Sequence, residues 1–131
     1  MKLFEIEEVV KQLKIPNFRG VYLRDQLFNF HANSNNETEC GIIHSHTSAE
    51  NIESVGHWTA YYKNKKQRYY FCPFGGEIYQ ELKDYLGLPI MTHNFMIQNF
   101  EETICGELSI LFIYFMSKGL KYEDVILFLL R

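Results

Sequence analysis

Cys105 opens the apolar run 106–118, Gln98 stands seven residues before it, and His57 precedes the β-prone run that starts at Trp58. A thiol, an imidazole and a side-chain amide are the parts of a cysteine hydrolase. The thiolate is the nucleophile, and both a nearby imidazole and the open N–H groups of a helix N-terminus favour it. His57 is the candidate general base, taking the thiol proton and returning one to the leaving amine. Gln98, with the backbone N–H of Cys105, is the candidate oxyanion donor. Each has a plainer reading alone: a buried Cys is usually an inert small hydrophobe, a strand His is often satisfied by backbone, and a loop Gln is solvated. Their joint occurrence carries the hydrolase reading.

A third group normally faces the imidazole, fixing its tautomer and stabilising its cation. His57 to Tyr62 and Gln67 to Cys72 are two β-prone runs around Lys63-Asn64-Lys65-Lys66, which predicts a hairpin with a charged turn. A turn centred between Asn64 and Lys65 puts Tyr62 opposite Gln67 and Cys72 opposite His57, with Cβ atoms roughly 5 Å apart. The candidate third residue is therefore Cys72, a weak hydrogen-bond partner.

Other groups invite weaker readings. His44 and His46 share a strand face, and with Cys40 they make half a metal site; His57, Cys72 and Cys105 are a second such set. Neither matches a structural zinc spacing, and no metal or cofactor is expected. Lys63, Lys65, Lys66 and Arg68 form a basic hairpin tip, either a solvated turn or a polyanion contact.

The elements that must position these residues follow from periodicity. Leu3, Ile6, Val10 and Leu13 recur at helical spacing until Pro16, predicting an amphipathic N-terminal helix. Phe18 to Phe30 reads as an irregular, partly buried connection, and Asn33 to Glu39 as a polar surface loop. Cys40 to His44 is a short strand, followed by a second polar loop through Ser54. Glu77 to Leu86 is a helix with Gly87 as its C-terminal cap, Ile90 to His93 a strand, and Tyr122 to Leu130 a last short helix. Residues 106–118 are apolar almost all round, which predicts a buried central helix stopped by Gly119.

Composition bounds the rest. The 131 residues suit one compact domain. At 47% hydrophobic and 16% aromatic the chain is built for an ordered core, and a net charge of -3 argues against bulk polyanion binding. Three cysteines without a disulfide-framework spacing point to reduced thiols in an intracellular setting. Met1 to Phe4 runs straight into Glu5, Glu7 and Glu8, so no secretory leader is read, and no apolar tract is long enough for a membrane span.

His57-Trp58, then Phe71-x-Pro73-Phe74-Gly75, then Gln98 with Cys105-Gly106, in that order, resemble the adenain-type cysteine proteases. This family comprises the adenovirus maturation protease and relatives in virophages and Polinton-like elements, in a clan shared with SUMO-deconjugating enzymes. Ile15 to Asp25 is similar to the opening of the element-encoded relatives, and Cys40 to Ile43 fits the strand before the catalytic His, so the likeness spans most of the chain. The resemblance implies an α+β fold, with a small mixed sheet carrying His57 packed on a helix that starts at Cys105. It makes Cys105 the nucleophile, His57 the base and Gln98 the oxyanion donor; at position 72 this chain has Cys where the family has Asp, Glu or Asn. Trp58, Gly56 and Gly106 are expected to line the substrate site. The implied substrates are capsid or virion precursor proteins of a small DNA virus or virus-like transposon, cut after small, Gly-containing sites. The implied setting is a monomer in host cytoplasm or nucleus and in the virion, neither secreted nor membrane-bound. The chain is shorter than the adenovirus enzyme, so a peptide or polyanion activator is not carried over. Within the clan the alternative is deconjugation of a ubiquitin-like modifier; outside it, a catalytically weakened descendant that only binds its former substrate.

Overall fold

The computed structural model describes residues 2–29, 37–47, 56–94, 96–97 and 104–130. It is an α+β arrangement of a four-stranded mixed sheet and four α-helices. Helix α1 (Leu3–Leu13) buries Ile6 and Val10; the Glu5 carboxylate accepts from the Lys2 backbone N–H at 2.9 Å, and Lys14 at φ 55° closes the last turn. Strand β1 (Phe18–Leu23) pairs parallel with β2 (Glu39–His44), which pairs antiparallel with β3 (Trp58–Lys63), and β3 in turn with β4 (Arg68–Phe71). Arg24–Asn29 is a 3-10 turn, followed later by α2 (Gln80–Leu86), α3 (Cys105–Ser117) and α4 (Tyr122–Leu129).

The sheet is covered on both faces, so alternate residues of each strand enter two different cores. Cys40, Ile42, Trp58, Ala60 and Phe71 pack with α1, α3 and α4. Ile43, Tyr61, Tyr70 and Cys72 pack with α2. Helix α3 lies between the sheet and its neighbours α1 and α4, which is why its sequence is apolar around nearly its whole circumference. The second core holds a polar centre, where the buried Glu39 carboxylate accepts from the hydroxyls of Tyr61 and Tyr85, both at 2.6 Å. Among the described residues no helix is long and apolar enough to cross a membrane.

Four expectations need correction. Phe18 to Leu23 is a strand; Gly20, at φ 147°, sits within a register irregularity between Phe18 and Val21 that breaks the usual alternation. Ile90 to His93 makes only an isolated bridge, Tyr69 to Met91, along the outer edge of β4. The hairpin register is moved by two residues: Tyr62 faces Tyr69 and Ala60 faces Phe71. The cause is Asn64, whose side-chain oxygen accepts from the backbone N–H of Lys66 and of Gln67, both at 2.9 Å. That Asx arrangement carries the turn one residue further along the chain. The second helix also starts later than expected, at Gln80.

Candidate active site

Cys105 is the first residue of α3, and among the described residues no side chain caps that helix end. Contacts further along α3 fix its direction over the sheet. Ser109 Oγ donates to the Trp58 carbonyl at 3.2 Å. Three residues on, Phe112 stacks on Phe71, the partner of Ala60, with centroids 5.0 Å apart and planes at 9°. The helix thus runs in the same sense as β3. One turn back from Ser109, Cys105 comes to the end of β3 that His57 precedes.

His57 is anchored by its backbone. Its N–H donates to Ser45 Oγ at 2.9 Å, and its carbonyl accepts from the Ser45 N–H at 2.9 Å. Its ring packs against Phe74, with centroids 4.3 Å apart. Partial burial, and then the neighbouring His46, hold the His57 imidazole below its ordinary value, so it is neutral at pH 7. Among the described residues neither the His57 ring nor the Cys105 thiol makes a hydrogen bond.

Cys72 does not face His57. The ladder ends at Ala60–Phe71, and just beyond it the Cys72 carbonyl accepts from the Gly75 N–H at 2.9 Å, so the chain turns there and Phe74, not Cys72, meets the His57 ring. The Cys72 thiol belongs to the second core, near Tyr70 and Tyr79, whereas Cys105 packs against the first. Burial, first of all, pushes the Tyr79 phenol up to about 12. The Cys72 backbone N–H donates to His93 Nε2 at 3.2 Å, so His93 carries its proton on Nδ1.

Trp58 is 6% exposed and belongs to the first core, so it offers little open surface. Gly106 is buried in the first turn of α3. Gly56 is explained by what lies beneath it: a Cβ there would overlap His44 Cε1 and His46 Nδ1 and come within 2.5 Å of His46 Cε1. Gln98 lies outside the described residues, as do most of the two polar loops.

His44 and His46 form a buried pair with nearly parallel rings, and Trp58 meets His44 edge-on at 4.5 Å. Among the described residues no group of three or more His, Cys, Asp or Glu side chains is placed to hold a metal. Cys40 is buried four residues before His44 on β2, its thiol directed at the carbonyls of Pro16 and Asn17 at 3.7 and 3.8 Å. Sequence reasoning missed Ser45 as the anchor of His57 and Ser109 as the pin between α3 and β3. Serine at those spacings carries no signal of its own; only the pairing of β2 with β3 and of α3 with the sheet gives them a role. No family model, curated protein or solved structure matches the chain.

Proposed function

We propose that the chain is a cysteine endopeptidase of the adenain type, with Cys105 as nucleophile, His57 as base and Gln98 as oxyanion donor. The observation that carries the reading is the placement of Cys105 at the N-terminus of α3, a helix that runs along the strand His57 precedes. The His57 imidazole takes the Cys105 proton as sulfur attacks the scissile carbonyl carbon. The developing oxyanion is held by the Cys105 N–H and Gln98. Collapse of the tetrahedral species breaks the C–N bond, and His57 passes its proton to the departing amine. Water, deprotonated by the same imidazole, then hydrolyses the thioester and restores the thiol. A His57 held neutral at pH 7 suits the base role. The missing thiol–imidazole hydrogen bond is compatible with it, because such contacts often close only with substrate bound.

The substrate class follows from the resemblance: an extended segment of a virion precursor protein with small residues, Gly-Gly or Gly-x, before the cut, in a host cell infected by a small DNA virus or carrying a virus-like transposon. A binding-only descendant is the second reading, favoured by the position of Cys72 out of register with His57. Peptide libraries carrying Gly-Gly and Gly-x sites, read by mass spectrometry, separate the two. Cleavage that disappears with Cys105→Ala and nearly disappears with His57→Ala supports the peptidase; cleavage by Cys105→Ala at the wild-type rate overturns it. Retained peptide binding with no cleavage by wild type supports the descendant.

A further inference from the structure

We propose that Ser45 and Ser109 are a pair of positioning residues that hold His57 and Cys105 in one frame, taking over the orienting task that a third side chain facing the imidazole performs in a triad. The proposal rests on the peptidase reading for the tasks given to His57 and Cys105; the hydrogen bonds that carry it do not.

The two serines act from opposite sides on two consecutive residues. The ladder of β2 with β3 ends at the pair His44 and Trp58. One residue further, the Ser45 N–H donates to the His57 carbonyl at 2.9 Å, and the His57 N–H donates to Ser45 Oγ, also at 2.9 Å. The side chain of Ser45 thus completes a ladder-like pair that its main chain begins. This frees β2 to turn away, and the next carbonyl, that of His46, accepts from the Arg24 N–H at 3.3 Å, just past the end of β1. Both bonds fall on the His57 main chain, so β2 sets where that residue lies. Without the hydroxyl the His57 N–H loses its acceptor.

From the other side, the buried Ser109 Oγ donates to the carbonyl of Trp58 at 3.2 Å. That carbonyl lies past the last pair of β3 with β4, Ala60 and Phe71, and Ser109 supplies the donor there. Cys105 precedes Ser109 by four residues, about one turn, so the two share a face of α3. A run of fixed contacts therefore leads from β2 through Ser45, His57, Trp58 and Ser109 to Cys105. The His57 imidazole makes no hydrogen bond among the described residues, and its ring rests on Phe74, with centroids 4.3 Å apart. Aim therefore comes from the main chain and from that aromatic face. Misplacing a reacting group by about 1 Å can slow a reaction by on the order of a hundredfold, so a lost hydroxyl at either serine is felt at the thiol.

The test combines two readouts on the full chain, in wild type, Ser45→Ala, Ser45→Thr and Ser109→Ala. One is the pH profile of Cys105 labelling by iodoacetamide, mapped by mass spectrometry. The other is the NMR shift of the His57 ring protons, which the Phe74 face displaces. Ser45→Ala is expected to return the ring shifts toward those of a free imidazole and to slow Cys105 about tenfold or more at neutral pH. Ser45→Thr, which keeps the hydroxyl, restores both. Ser109→Ala slows Cys105 as well but leaves the His57 shifts close to wild type, because it moves the nucleophile and not the base. A serine that only stabilised the fold would lower Tm and leave the labelling profile unchanged. Wild-type ring shifts and labelling in Ser45→Ala overturn the proposal, as does a Ser45→Thr no better than Ser45→Ala. Should Ser45→Ala not fold, Ser109→Ala decides, since alanine is the best helix former and keeps α3 intact; labelling at the wild-type rate then overturns the pairing. Wild-type Cys105 that reacts like a simple thiol removes the peptidase reading, and the ring shifts still decide whether Ser45 sets His57.

Discussion

Gly56→Ala is the most demanding perturbation of the site's framework. An ideal Cβ at position 56 overlaps His44 Cε1 and His46 Nδ1 and lies 2.5 Å from His46 Cε1. Ordinary contact requires the His46 ring to retreat by about 1 Å, and both rings are buried, so overpacking of about 1–3 kcal/mol is expected. The retreat also stretches the 3.3 Å Nδ1–Nδ1 contact past hydrogen-bond reach, adding about 1 kcal/mol. The sum, about 2–4 kcal/mol, is a large part of the roughly 5–15 kcal/mol that stabilises a domain. For 131 residues an unfolding entropy of about 2.1 cal/mol/K per residue makes each kcal/mol worth about 4 °C, so Tm should fall by about 8–16 °C. Urea and thermal melts followed by fluorescence of Trp58, the sole tryptophan, measure this directly, since its indole lies against His44. Gly76→Ala is the internal control: its Cβ would meet only Cys72 Sγ, at an ordinary 3.5 Å. A Gly56→Ala variant within about 0.5 kcal/mol of wild type, the range of an unremarkable surface change, would refute the close approach of Gly56 to the imidazole pair.

Three further outcomes are expected. Cys40, its thiol pushed up to about 12 by burial and then by Glu39, should resist alkylation at pH 8 in the native protein and label fully in urea; rapid native labelling would contradict its placement. Cys72→Asp should bring no gain in Cys105 reactivity, because position 72 is out of register with His57 and its side chain packs in the second core. A marked gain would mean that the end of β4 reaches His57 in the working protein. Because His57 titrates lower in the folded chain than its ordinary 6.5, the unfolded chain binds more protons below that pH. Its contribution to stability is therefore present above the unfolded value and lost as pH falls through the folded one. Wild type should lose more stability between pH 7.5 and 5.5 than His57→Asn does; equal losses by urea titration would be evidence against a depressed His57.

Much of the fold was legible because strong periodicities decided it. The α1 stripe at Leu3, Ile6, Val10 and Leu13, the apolar α3 and the strand at Cys40 to His44 each follow from a pattern that one tertiary arrangement satisfies. Strand β1 was not legible, since a parallel edge strand interrupted by Arg19 and Gly20 has no clean alternation. The hairpin itself was readable but its register was not. The outcome turned on whether Asn64 used its side chain to cap the turn, and one residue at the turn moves every facing pair by two. Within the site, the ends of the elements carrying His57 and Cys105 were legible from their flanking patterns. The closeness of Gly56 to His44 and His46 was not, because it depends on two segments that meet only in three dimensions.

The central claim is that Cys105 is a nucleophile activated by His57. Iodoacetamide labelling of the native chain at several pH values, mapped by mass spectrometry in wild type and His57→Ala, tests it most directly. The proposed mechanism predicts that Cys105 labels about tenfold or more faster than Cys72 and slows by a comparable factor when His57 is removed. Labelling of Cys105 at the rate of a simple free thiol, unchanged in His57→Ala, or preferential labelling of Cys72, would contradict it.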